Sequence, residues 1–126
     1  MPRGNETILF VEDDASLRAA MFKTLTQLGY RVIEAVSGAD ALDIWKQKRG
    51  EIQLLLTDLV MPGGVNGKEL GEKLLKDHPK LKVIYTSGYS VDVAGTDLPL
   101  EEDVNFLVKP VQAHKLAQTV RARLDR

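Results

Sequence analysis

Short apolar runs alternate along the chain with segments in which apolar residues recur at helical spacing. The apolar runs cover residues 7–12, 31–36, 52–58, 82–87 and 104–109. Between the first two runs, the segment from Leu17 to Leu28 has helical periodicity and ends at Gly29. Strict alternation of strands and helices in units of this length predicts a parallel sheet with helices on both faces.

The predicted fold class is α/β, a doubly wound (flavodoxin-like) three-layer sandwich. Its five parallel strands are expected in the order 2-1-3-4-5. The third strand, residues 52–58, is apolar almost throughout, which is typical of a strand buried on both faces. The region 90–103 is the weakest part of the pattern because Gly95 and Pro99 interrupt it, so only one or two helical turns are expected there.

The length of 126 residues fits one domain, 1–126, in which residues 1–5 are expected to form a flexible leader. Without cysteine the chain can form neither disulfides nor thiolate metal sites, which fits a reducing, cytoplasmic location. A net charge of -1 provides no basic excess for binding nucleic acid. Since no apolar run approaches the roughly 20 residues of a membrane helix, no membrane contact is expected.

Each strand that borders the predicted crevice ends in polar or charged residues. These are Glu12, Asp13 and Asp14 after strand 1, Asp58 in strand 3, Thr86 and Ser87 in strand 4, and Lys109 after strand 5. In a doubly wound sheet, ligands bind outside the carboxyl ends of the strands, where the strand order reverses. Each residue taken singly has a structural explanation, and Asp14 is a good helix N-cap. Their coincidence at one edge points to a site.

Several carboxylates in one pocket repel each other unless a positive charge compensates them. Lys109 is one available cation, and a hard divalent ion is another. Mg²⁺ prefers oxygen ligands, whereas zinc is disfavoured because the chain has no cysteine and neither His78 nor His114 ends a strand. A carboxylate such as that of Asp58 can also act as a nucleophile and form an acyl phosphate.

Four stretches in order resemble the response-regulator receiver domain of two-component signalling. They are "ILFVEDDASLR", "TDLVMPGGVNG", "VIYTSGYS" and "FLVKP". The resemblance spans roughly residues 6–124, nearly the whole chain. It implies a domain that is not a conventional enzyme but catalyses its own phosphorylation and dephosphorylation.

The resemblance assigns Asp58 as the phosphoacceptor, which takes a phosphoryl group from the phosphohistidine of a sensor histidine kinase. Asp13, Asp58 and the backbone carbonyl of Val60 would bind Mg²⁺ directly, with Mn²⁺ as a substitute. Glu12 would act through a metal-bound water, whereas Asp14 lies one residue beyond the acidic pair and is assigned as a cap.

The resemblance also assigns the switch. Lys109 would contact a phosphoryl oxygen, and Ser87 rather than Thr86 would supply the hydroxyl that follows the phosphoryl group. Phe106 occupies the position of the aromatic rotamer partner. We further hypothesise that the apolar bulk of Val60 and Tyr89 hinders an attacking water and slows loss of the phosphoryl group.

Two departures from the usual family pattern indicate a particular kind of receiver. The loop between Met61 and Lys68 is one residue longer than usual, and its Pro62 and glycines allow unusual backbone geometry. The weak region at 90–103 disfavours a tight dimer, so a monomer or weak dimer is expected. Both features resemble receivers of hybrid sensor histidine kinases, which pass the phosphoryl group to a histidine phosphotransfer domain. The alternative is a free-standing single-domain regulator that acts through protein–protein interaction; direct transcriptional control by this chain alone is not expected.

Three other classes fit the residues less well. A flavodoxin-like cofactor module would carry a hydroxyl-rich phosphate loop after strand 1, where this chain has acids. An aspartate-dependent phosphate-ester hydrolase would need a second aspartate at position 60, which is Val60. A degenerate receiver used as a scaffold would lack site residues that are present here.

Overall fold

A computed structural model describes residues 1–61, 64–88 and 98–126. The strands are β1 (Thr7–Val11), β2 (Arg31–Ala35), β3 (Leu54–Asp58), β4 (Lys82–Ser87) and β5 (Phe106–Val108). The helices are α1 (Ala15–Gln27), α2 (Gly38–Lys48), α3 (Gly67–Asp77) and α4 (Ala113–Leu124), and a 3₁₀ turn spans Arg49–Glu51.

The strands form one parallel sheet in the order β2-β1-β3-β4-β5, which confirms the predicted fold class and strand order. The central strand β3 is buried at all five positions, as its apolar sequence predicted. The edge strand β2 is exposed at Arg31 and Glu34. The reversal of strand order therefore lies between β1 and β3.

Two apolar layers hold the helices against the sheet. Leu9 and Leu55 face one layer, where Trp45 of α2 and Leu70 of α3 are packed. Ile8, Phe10, Leu54 and Leu56 face the other layer, together with Met21 and Leu25 of α1 and Leu116 and Val120 of α4. The period of two along each strand thus supplies both faces of the sandwich.

Side-chain caps start three helices at the carboxyl edge of the sheet. Asp14 accepts from the Leu17 amide at 3.0 Å, as predicted, and Ser37 accepts from the Asp40 amide at 3.1 Å. Asn66 caps α3 in the same way, accepting from Glu69. These caps place the positive ends of the three helix dipoles at the edge where the acidic residues lie.

Arg3 and Gly4 of the leader are hydrogen-bonded to distant parts of the domain. The Gly4 amide donates to the Leu28 carbonyl at 3.0 Å, and Arg121 donates to the Arg3 carbonyl at 3.2 Å. The flexibility of this leader stays a prediction, and these contacts argue against it for Arg3 and Gly4.

The weak region of the sequence is only partly described. Residues 90–97 lie outside the described part of the chain, whereas residues 98–103 form no helix. Leu98 and Leu100 pack against the apolar layer that contains Trp45. No described helix is both long enough and apolar enough to span a bilayer.

Candidate functional site

The ends of β1 and β3 bring the predicted acidic residues together. Val11 pairs with Thr57 in the sheet register, so Glu12 and Asp58 leave neighbouring strands side by side. Carboxylate oxygens of Glu12, Asp13 and Asp58 all lie within 4.8 Å of one another. Glu12 and Asp58 are buried, at 1% and 6% exposure, whereas Asp13 faces solvent. The site thus combines two buried carboxylates with one at its mouth.

Lys109 reaches this cluster from the far side of β4. Its Nζ lies 2.7 Å from Asp58 Oδ2 and 2.8 Å from Glu12 Oε1. The Lys109 amide donates to the Ser87 carbonyl at 2.8 Å, which fixes the backbone from which the side chain extends. Two of the three carboxylates therefore share one ammonium, and with all three ionised the cluster carries a net charge of about -2.

Burial and charge shift the pKa values of two of these groups. Burial raises the pKa of Glu12, the Lys109 ammonium opposes that rise, and the negative charge of Asp58 adds to it. Burial by itself would lower the pKa of Lys109, but its hydrogen bonds to Asp58 and Glu12 outweigh this effect, and the pKa lies above 10.5. Lys109 is therefore a permanent cation at neutral pH.

The donor set fits a hard divalent cation. It consists of carboxylate oxygens, the ligand type that Mg²⁺ prefers. A charge of +2 would also neutralise the excess negative charge of the cluster. Glu12 Oε1 is buried and lies 2.8 Å from Lys109 Nζ, which leaves it acceptor capacity for a second donor. A buried carboxylate oxygen of this kind, facing the cluster, is suited to accept also from a metal-bound water.

The remaining predicted residues lie around the cluster. Thr86 pairs with Asp58 in the sheet register, and Ser87 follows it, buried, at the end of β4. Phe106 is fully buried at the start of β5, next to Tyr85. The Val60 side chain is 59% exposed, and its amide donates to Asp58 Oδ1 at 3.3 Å. Tyr89, predicted to tune the rate, lies outside the described residues, as does Pro62.

Two residues near the site had been given no role from the sequence. A side chain at Gly67 would collide with the Asp58 carbonyl and lie 2.8 Å from Leu59 Cα. Arg18 in α1 donates to the Glu12 carbonyl at 2.8 Å. The glycines after Asp58 were a signal for close backbone approach, whereas no sequence pattern singled out Arg18.

The chain belongs to the response regulator receiver domain family, whose model matches residues 8–121. Receiver domains interact with histidine kinases or phosphotransfer proteins and typically bind Mg²⁺ at an acidic pocket. The fold, the acidic cluster and the family match agree with the resemblance of the four sequence motifs.

Sequence relatives include a sensor kinase and a small regulator from Brucella abortus (strain 2308). The chain is 38% identical over 123 residues to the sensor kinase CckA, a match that covers 98% of this chain but 13% of the kinase. It is 31% identical to the response regulator receiver protein CpdR, covering 93% of this chain and 95% of that protein. The chain thus corresponds to about an eighth of the length of the kinase it matches.

Solved structures of receivers have the same fold. The receiver domain of the hybrid histidine kinase CckA matches with a TM-score of 0.77 and 35% identity, covering 94% of this chain and 98% of that one. A response regulator receiver protein from Sinorhizobium medicae WSM419 matches with a TM-score of 0.83 and 27% identity, covering 96% and 95%. Both similarities extend over nearly the whole chain.

Proposed function

We propose that this receiver domain takes a phosphoryl group from the phosphohistidine of a histidine kinase onto Asp58, in a Mg²⁺-dependent reaction. The observation that carries the proposal is the Asp58 carboxylate, buried at the end of β3 and 2.7 Å from Lys109 Nζ. Glu12 and Asp13 complete an acidic cluster around it. A nucleophile, a fixed cation and oxygen ligands therefore occupy one edge of the sheet.

In the proposed transfer, an Asp58 carboxylate oxygen forms a bond to phosphorus while the bond from phosphorus to the histidine nitrogen breaks. The bonding electron pair returns to the imidazole, and the product is an acyl phosphate. Lys109 contacts a phosphoryl oxygen and stabilises the charge that develops on it. When bound by Asp13, Asp58 and the Val60 carbonyl, with Glu12 acting through a water, Mg²⁺ supplies further charge neutralisation; Mn²⁺ would substitute for it.

The proposed switch links this charge to the far edge of the sheet. Ser87 donates to a phosphoryl oxygen and draws the segment after β4 toward Asp58. Phe106 serves as the rotamer partner. Its burial in this structure supports that role, because an aromatic ring without a hydroxyl can occupy the apolar layer with no polar group to satisfy.

We propose further that the domain, 1–126 with its leader 1–5, is the phosphorelay receiver of a hybrid histidine kinase and donates to a histidine phosphotransfer domain. The similarity to CckA in sequence and in structure supports this origin. The alternative, a free-standing regulator, has the full-length match to CpdR in its favour. In either setting we place the cysteine-free domain in the cytoplasm, as a monomer or weak dimer.

Phosphorylation by acetyl phosphate with Mg²⁺ tests the central proposal. The wild type is expected to gain the mass of one phosphoryl group, and Asp58→Ala is expected to gain none. Asp43→Ala, which removes an exposed carboxylate of α2, is the matched control and is expected to behave as wild type. A folded wild type that gains no mass would contradict the proposal and favour a scaffold role.

The rate-tuning hypothesis for Val60 and Tyr89 needs a separate measurement. The exposed apolar side chain of Val60 beside Asp58 is expected to hinder an attacking water. Replacing both residues by serine should therefore shorten the lifetime of phosphorylated Asp58, followed by intact mass after the phosphodonor is removed. An unchanged lifetime of the phosphorylated form would contradict the rate-tuning hypothesis.

A further inference from the structure

The backbone around Asp13 is held from both sides, although Asp13 itself makes no hydrogen bond recorded among the described residues. The peptide before it is held through the Glu12 carbonyl, which accepts from Arg18 Nη1 at 2.8 Å. The peptide after it is held through the Asp14 amide, which donates to Glu12 Oε2 at 3.1 Å. The Glu12 amide donates to the Ala35 carbonyl at 3.1 Å. The exposed Asp13 carboxylate is thus presented by a backbone that its neighbours immobilise.

Arg18 is the side chain outside this loop that holds it. It lies in the second turn of α1, where its own amide donates to the Asp14 carbonyl at 2.9 Å. Its side chain is 20% exposed, and its Nε lies 3.9 Å from Glu34 Oε1 on β2. A hydrogen bond from a guanidinium to a carbonyl is charge-assisted and stronger than a neutral one. One residue therefore ties the acidic loop to both α1 and β2.

We propose that Arg18 is a positioning residue for the divalent-cation site. By fixing the peptide between Glu12 and Asp13, it sets the direction of the Asp13 carboxylate before any ion binds. This inference rests on the proposed function, because it assumes that Asp13 is a metal ligand. Groups that orient metal ligands typically contribute a factor of about 10 to 100 in metal affinity.

The direction in which replacing Arg18 changes the Mg²⁺ affinity distinguishes this positioning role from simple electrostatic repulsion. Arg18 carries a positive charge close to a site for a cation, so by Coulomb repulsion alone its removal would strengthen Mg²⁺ binding. If Arg18 positions Asp13, its removal releases the loop, and Mg²⁺ binding weakens instead. The two explanations therefore predict opposite changes in the dissociation constant.

Calorimetric titration of Mg²⁺ into four proteins tests the proposal. Arg18→Met, which removes both charge and donor, is expected to weaken Mg²⁺ binding by about tenfold. Arg18→Lys, which keeps a donor, is expected to lie between Arg18→Met and wild type. Arg31→Met is the matched control, because it removes an exposed arginine at the opposite end of β2, and it is expected to bind as wild type. Melting in EDTA shows that each variant is folded.

The outcomes distinguish a failure of the proposed cation site from a failure of the positioning role of Arg18. If the wild type binds no Mg²⁺, the cation site of the proposed function is wrong. If the wild type binds and Arg18→Met binds equally well or more tightly, the positioning role is wrong while the proposed function stands. If Arg18→Met does not fold, Arg18→Lys decides the matter, because affinity equal to that of wild type would overturn the proposal.

Discussion

At the carboxyl end of the sheet three carboxylates cluster beside one ammonium, that of Lys109, which contacts two of them, whereas at the opposite end individual acids have arginine partners. There, Arg121 binds both carboxylate oxygens of Glu6, at 3.0 and 2.6 Å. Asp77 accepts from Arg49 and from the indole of Trp45, the latter at 2.8 Å. Charge is in excess at one end and paired at the other.

The ion pairs at the end opposite the acidic cluster stabilise the fold, whereas the cluster itself forms the candidate site. Glu6 lies just before β1, and Arg121 lies in α4, so their ion pair joins the beginning of the domain to its last helix. The same guanidinium also binds Asp125. At the other end, burial raises the pKa of Glu12, Lys109 opposes that rise, and the negative charge of Asp58 adds to it.

Removal of the shared cation is expected to have the largest effect. Lys109→Met leaves Asp58 without its ammonium partner, so the charge developing on the phosphoryl group loses a donor. The rate of phosphorylation by acetyl phosphate is expected to fall by about 100-fold, measured by intact mass over time. Lys115→Met removes a half-exposed lysine paired with Asp103 and is the control. A rate within a factor of about two of wild type would contradict the role of Lys109.

The second-largest effect is expected from a substitution that disturbs the backbone beneath the acidic cluster. A side chain at Gly67 meets the Asp58 carbonyl and Leu59 Cα, and backbone atoms cannot move aside as a flexible side chain can. Gly67→Ala is expected to lower the free energy of unfolding by about 2 to 3 kcal/mol, measured by urea denaturation. Gly64 lies in the loop just before α3, with open space around an added methyl group, and Gly64→Ala should have little effect. Equal effects of the two substitutions would refute this explanation.

The paired end is expected to show a smaller, pH-dependent effect. Hydrogen bonds from Arg121 lower the pKa of Glu6 from 4.5 to about 2. Because the folded value is the lower one, the pair stabilises the fold fully above pH 4.5, and the contribution is lost as the pH falls toward 2.

Glu6→Gln measures that contribution. Since the Glu6 side chain is 24% exposed, solvent screening reduces it, and we expect a loss of about 1 to 2 kcal/mol in the free energy of unfolding at neutral pH. The difference between wild type and variant should shrink below pH 4.5 in urea titrations. A difference that is constant with pH would show that the ion pair is not its cause.

The smallest effect is expected at Asp77. Asp77→Asn keeps an acceptor for the Trp45 indole and removes the charge that pairs with exposed Arg49. Exposed pairs of this kind contribute little, so the urea midpoint is expected to match wild type within error. Asp77→Ala also removes the acceptor and should shift the emission of Trp45, the single tryptophan of the chain. Destabilisation by Asp77→Asn comparable to that by Glu6→Gln would remove the contrast between these two pairs.

Hydrophobic periodicity was enough to predict all five strands to within two residues at either end. The third strand begins at Leu54 rather than at residue 52, because the 3₁₀ turn Arg49–Glu51 precedes it and Ile52 is buried without strand pairing. Ala113 is exposed in the first turn of α4, although it continues the apolar spacing of Leu116, Ala117 and Val120.

The candidate site was predictable where strand ends determine position. Glu12, Asp58 and Lys109 follow from alternation alone, because the carboxyl ends of parallel strands meet at one edge. Arg18 did not follow, since apolar periodicity does not show which polar side chain folds back onto a loop carbonyl. Its contact depends on the distance between the second turn of α1 and the end of β1, which only three-dimensional packing provides.

The ammonium of Lys109, held 2.7 Å from Asp58 and 2.8 Å from Glu12, also bears on how the polypeptide reaches its native state. The Lys109 side chain, which is part of the polypeptide, offsets part of the electrostatic repulsion among the three carboxylates. Folding therefore has no need to wait for an ion, in contrast to small domains that are unfolded without their metal. Under the proposed function, a divalent ion is then needed for phosphorylation rather than for folding. A chelator is expected to stop phosphorylation while leaving the melting temperature of the domain almost unchanged.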